Sequence, residues 1–168
     1  LHGVVAVCPA IHPPHILREM EKGPRIYHAY FMLKWRESLR RKQRLFPQDY
    51  AFDQRFLGQR MRALTAELIG RHTEFESVDA YFDGYSIRGD RLAAMQVPCA
   101  ILTAHDDPII PVADFHALQL PACISLDIAP FGGHCGFISD WSLRSYAEDF
   151  LLERLAAGVS APAAAPSA

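Results

Sequence analysis

Two short turns in the last third of the chain carry residue types suited to acid–base chemistry. One is His105-Asp106-Asp107-Pro108, the other Gly132-Gly133-His134-Cys135-Gly136-Phe137. An aspartate paired with Nδ1 of a histidine fixes one imidazole tautomer and stabilises the imidazolium formed when the ring takes a proton, so the histidine can act as general base and then general acid. Gly132, Gly133 and Gly136 are expected to free the backbone for positive φ and to leave room for a substrate beside the ring. Taken alone, a Gly-Gly-His turn is more often a structural loop; the matching aspartate turn reverses that balance.

Turns of this kind need rigid elements beneath them. Cys99 to Ala104 is a short apolar run with the length of a buried strand, and it delivers the aspartate turn. Pro111 to Leu120 reads as a short helix, and Cys123 to Ala129 as a second strand that Pro130 ends and that delivers the histidine turn. A last helix is expected over Trp141 to Ala157, with Leu143, Tyr146, Phe150, Leu151 and Leu155 facing a sheet and Gly158 stopping it. Strand, turn, helix, strand, turn, helix is the grammar of a parallel α/β sheet with right-handed crossovers. Ligands bind at the carboxyl ends of such strands. Neighbouring strands lie about 4.8 Å apart, so an aspartate and a histidine in adjacent turns can meet.

The first half is less regular. Gly3 to Cys8 is apolar on both faces, as expected of a central parallel strand, and the prediction is that more sheet precedes it in the parent protein. Pro13 and Pro14 open a helix that runs to Lys22, and Gly23-Pro24 breaks it. A second helix is predicted over 25–45, with Met32, Trp35 and Leu39 on one stripe and Pro47 closing it. Its other face carries Lys34, Arg36, Arg40, Arg41, Lys42 and Arg44 against Glu37 alone. A solvated face is the plain reading; peripheral contact with anionic lipid is the alternative. Residues 50–84, with weak helical periodicity over 55–69, read as a helical insert. The expected organisation is one partial domain over 1–157 with a cap-like helical region at about 25–90, then a disordered Ala/Pro/Ser tail at 158–168.

The two late turns and the early helices together resemble the YheT-like family of α/β-hydrolases, the group that includes embryogenesis-associated hydrolases. The likeness is carried by Val7-Cys8-Pro9, by Met20-Glu21-Lys22-Gly23 with Tyr27 and Tyr30, by Asp106-Asp107-Pro108, and by Gly132 to Phe137. It spans roughly residues 1–155 and is poorest over 50–84. The resemblance implies a Ser–Asp–His hydrolase acting on carboxylic esters of lipid-like or short to medium acyl type, without metal or organic cofactor. It makes Asp107, directly before Pro108-Ile109-Ile110-Pro111, the acid that orients His134, and leaves Asp106 as a loop-capping residue. Thioester or amide cleavage would use the same triad.

The nucleophile is the missing part. α/β-Hydrolases order the triad as nucleophile, acid, histidine, with the nucleophile on a G-x-S-x-G elbow between a strand and a helix. Gly84-Tyr85-Ser86-Ile87-Arg88-Gly89 has one residue too many and follows no buried strand, so Ser86 is set aside. The elbow and the oxyanion hole are expected upstream of Leu1, in an N-terminal half that would be this chain's partner. The rival is a non-catalytic module of the same fold that binds a ligand or another chain.

His12 and His15 lack a third ligand and flank a helix start, and His105 is left undecided between lining a pocket and facing solvent. Cys135 beside His134 is disfavoured as a nucleophile, since adjacent side chains on a tight turn diverge. Cys8, Cys99, Cys123 and Cys135 show no C-x-x-C spacing and read as reduced thiols of a cytoplasmic protein. With 17 basic and 19 acidic residues there is no electrostatic case for nucleic acid. No apolar run approaches the ~20 residues of a membrane span.

Overall fold

Aliphatic side chains run without a break through Cys99–Ala104, and the strand they form is buried at every position. The structure is a computed structural model that describes residues 2–158. Its elements are β1 (Val4–Val7), α1 (Pro13–Lys22), α2 (Arg25–Leu45), α3 (Gln54–Leu57), α4 (Met61–His72), α5 (Val78–Tyr85), β2 (Cys99–Ala104), α6 (Val112–His116), β3 (Ile124–Ala129) and α7 (Tyr146–Ala156). Beyond Gly158, the tail expected to be disordered lies outside the described residues. The chain is α/β, and it divides into two compact units: Pro13–Tyr85, and the residues up to His12 together with those from Ser86 onward.

The second of these units holds a three-stranded parallel sheet in the order β1-β2-β3. Val4 pairs with Cys99, and Cys99 in turn with Ile124, so the carboxyl ends of all three strands fall at one rim. β2, hydrogen-bonded on both sides, is the central strand, and fully burying Ile101 and Leu102 contributes about 1.5–3 kcal/mol each. From the sequence, β1 is expected to be a central strand of a larger sheet. Among the described residues it is half-buried and pairs with β2 alone.

Helix α7 packs on β1 but starts later than its apolar spacing suggests. Asp140 accepts hydrogen bonds from the Ser142 backbone N–H (2.8 Å) and hydroxyl (2.6 Å), which bends the chain away from helix there. Trp141 and Leu143 are therefore exposed, as are Tyr146 and Leu155, and the inward face of α7 is Ala147 and Phe150 with Leu151 half-buried.

The other unit, Pro13–Tyr85, is helical. Met32 and Leu39 are buried on α2 as their spacing requires, with Trp35 half-buried. Residues 55–69 form two helices, α3 and α4, because Gly58 ends the first. Phe52 stacks on Phe56 at 4.8 Å, and Asp53 caps α3 by accepting from the Phe56 N–H at 2.7 Å. Arg36 does not join the solvated basic face: its Nη2 donates to the Gln59 carbonyl at 3.0 Å. Lys34, Arg40, Arg41, Lys42 and Arg44 are exposed.

Candidate active site

Because β2 and β3 pair in register to their last residues, Thr103 with Ile128 and Ala104 with Ala129, the turns that leave them start side by side. The His105 N–H donates to the Ala129 carbonyl at 2.9 Å, extending the pairing one step into the turns. Two consecutive aspartates then do different work.

Asp106 turns towards the histidine loop. Its Oδ1 accepts from the backbone N–H groups of Gly132 (2.8 Å) and Gly133 (2.9 Å). The residue read from sequence as a loop cap thus ties one turn to the other. Asp106→Ala removes a charged acceptor from two N–H groups, and we expect a loss of about 1–2 kcal/mol because the site is exposed. Asp106→Asn keeps an acceptor oxygen and should stay close to the parent. Denaturant midpoints compare the two variants, and equal midpoints would remove the clamp from consideration.

Asp107 points inward, its side chain wholly buried, and its Oδ1 accepts from the N–H groups of Ile109 (2.8 Å) and Ile110 (2.9 Å). Oδ2 lies 3.0 Å from Nδ1 of His134, whose side chain keeps 33% of its surface exposed. Burial alone would push the carboxyl up, but hydrogen bonds from His134, Ile110 and Ile109 outweigh it and hold the acid below its ordinary range. An ionised carboxylate only accepts, so Nδ1 carries the proton and Nε2 keeps the free lone pair.

The histidine loop folds for reasons the glycine pattern only partly announces. Gly133 has φ +56°, but Gly132 and Gly136 do not use positive φ; Cys135 (66°) and Phe137 (47°) do. Gly132 is needed for close approach instead, since a Cβ there would sit 2.5 Å from the ring of Phe137 and 3.0 Å from the Ala104 Cβ. The buried Phe137 anchors the loop, its N–H donating to the Gly132 carbonyl (2.8 Å) while its own carbonyl accepts from the Tyr146 N–H (2.8 Å).

The structure thus brings together the two residues singled out for chemistry, Asp107 and His134. His105 is exposed, with its ring 6.1 Å from that of His116. Ser86 is buried and directly follows helix α5, which is not the strand-to-helix setting of an elbow. Comparison with protein-family models, curated proteins and solved structures finds no match. The site itself is a buried, ionised acid beneath a partly exposed imidazole, at the rim where parallel sheets hold ligands.

Sequence reasoning missed Cys8. It directly follows β1 with φ 44°, and its Sγ, the Sγ of Cys135 and a ring nitrogen of His134 lie within 4.8 Å of one another. Burial, with the neighbouring Cys135 and Asp107 charges, pushes the Cys8 thiol up to about 12, so it is a poor thiolate nucleophile. Only the strand order, which sets Cys8 beside the two later turns, could have revealed it.

Proposed function

We propose that the chain is the C-terminal part of an α/β-hydrolase similar to the YheT-like group, and that it cleaves carboxylic esters through a Ser–Asp–His triad. The observation that carries this reading is the 3.0 Å contact between Asp107 Oδ2 and His134 Nδ1. In the proposed reaction His134 takes the proton of a serine hydroxyl on Nε2 as the serine attacks the ester carbonyl, and returns it to the leaving alcohol. Asp107 stays ionised throughout, holding the ring and its charge. The serine and the oxyanion hole come from a preceding strand and G-x-S-x-G elbow, and the chemistry calls for no metal or organic cofactor. The exposed cations of α2 suit peripheral contact with anionic lipid while an acyl substrate is delivered. Four unpaired cysteines suit the cytoplasm. Among the described residues no helix is long and apolar enough to cross a membrane.

The isolated chain should turn over a chromogenic ester no faster than buffer, since neither nucleophile nor oxyanion hole is within it. Turnover that His134→Ala abolishes would overturn the missing-nucleophile claim. Co-expression with the segment encoded upstream should restore hydrolysis. An upstream reading frame without a strand and G-x-S-x-G would favour the non-catalytic module instead.

A further inference from the structure

The carboxyl ends of three neighbouring strands deliver Cys8, Asp107, and the pair His134-Cys135 to one place. We propose that Cys8, Cys135 and His134 form a three-ligand site for a thiophilic divalent cation of the zinc type, with Asp107 as its outer partner. The proposal does not rest on the hydrolase reading.

Two sulfurs and one imidazole nitrogen are a donor set that selects zinc over magnesium or calcium, which require oxygen. In a tetrahedral zinc centre, with bonds of about 2.3 Å to sulfur and 2.0–2.1 Å to nitrogen, ligand atoms sit about 3.4–3.8 Å apart. The three atoms here already lie within 4.8 Å of one another, so closure by about an ångström completes the centre. Cys135 can make that movement: it is exposed and flanked by Gly133-His134 on one side and Gly136 on the other. Both cysteines hold left-handed backbone conformations, φ 44° and 66°, which L-residues adopt at a cost of roughly 1–2 kcal/mol each. With the chain turned this way at both residues, the two thiols lie at one centre.

Asp107 holds Nδ1 of His134 and with it the tautomer and orientation of the ring, so the cation of this proposal would take Nε2. On binding, each cysteine gives its thiol proton to solvent and a sulfur lone pair to the cation, so two thiolates balance the dication. Three protein ligands leave a fourth position for water, on the side where His134 and Cys135 are exposed. A cation there would occupy His134, making hydrolysis and metal binding mutually exclusive.

The test uses the reduced chain and Co2+ as a coloured stand-in for zinc. A single equivalent of Co2+ should produce a near-ultraviolet thiolate-to-cobalt charge-transfer band with tetrahedral visible absorption, and Zn2+ should bleach both. Cys135→Ser, at an exposed position that puts folding at little risk, should cut the charge-transfer intensity roughly in half, one of two thiolates being gone. The double variant Cys8→Ser, Cys135→Ser should lose the band. No charge-transfer band in the parent, or an undiminished band in the double variant that would shift the ligation to Cys99 or Cys123, overturns the site. Because the readout is spectroscopic, failure of the ester assay leaves this result untouched, and the reverse holds too.

Discussion

In a protein supplied with its nucleophile, Asp107→Asn is expected to lower ester turnover by about 10⁴-fold while leaving the fold in place. The asparagine retains a carbonyl oxygen for the Ile109 and Ile110 N–H groups, so the turn after β2 keeps its two hydrogen bonds. What changes is the atom facing His134. An amide NH2 there donates to Nδ1 and forces the proton onto Nε2, leaving the base without the lone pair it needs. Steady-state kinetics with matched denaturation curves separate the two effects: a large fall in kcat at unchanged stability supports the role assigned to the acid. Wild-type turnover in this variant would end the dyad proposal. Acid works on the same group. Its folded-state value is depressed below that of the unfolded chain, so the stabilisation is fully present above the ordinary carboxylate range, about pH 4, and is lost as pH falls through the depressed value.

The second large effect is structural. Gly132→Ala places a methyl group 2.5 Å from two ring carbons of a buried phenylalanine, Phe137, and 3.0 Å from the Ala104 Cβ. Neither neighbour is the far end of a flexible side chain, so the histidine loop must lift or the ring must move, at about 1–3 kcal/mol. Gly133→Ala meets no atom within 4 Å but must hold φ +56°, which costs roughly 1–2 kcal/mol. Urea melts should show a lowered midpoint for both variants, with the larger drop for Gly132→Ala and little change in slope. If Gly132→Ala matches the parent, the ring is not the anchor of the loop.

How far these features were legible depends on which interactions create them. β2 and α2 were readable almost to the residue, because an unbroken apolar run and a proline-bounded amphipathic stretch are local signals. Asp107 and His134 could be paired from sequence since βαβ connectivity puts their turns at one rim. The start of α7 was not legible: Trp141 and Leu143 continue the helical spacing, but the side chain of Asp140 competes for the backbone first. Gly132 looked like a left-handed position and is in fact a steric one, a difference set by the packing of Phe137. Arg36 belongs to a run of cations whose pattern says nothing about which one finds a carbonyl at Gln59. Cys8 is far from Cys135 along the chain, and only strand order brings the two thiols together.

Because Asp106 fastens the two turns directly and β3 continues straight into the second, the end of the crossover, residues 116–123, need not set the spacing of acid and imidazole. Those residues are exposed or half-exposed, outside the buried Ile110 and Phe115, so a change of length there would reshape the neighbouring surface and leave the acid and the imidazole in place. Selection can retune one face of the molecule without disturbing the hardware at the rim.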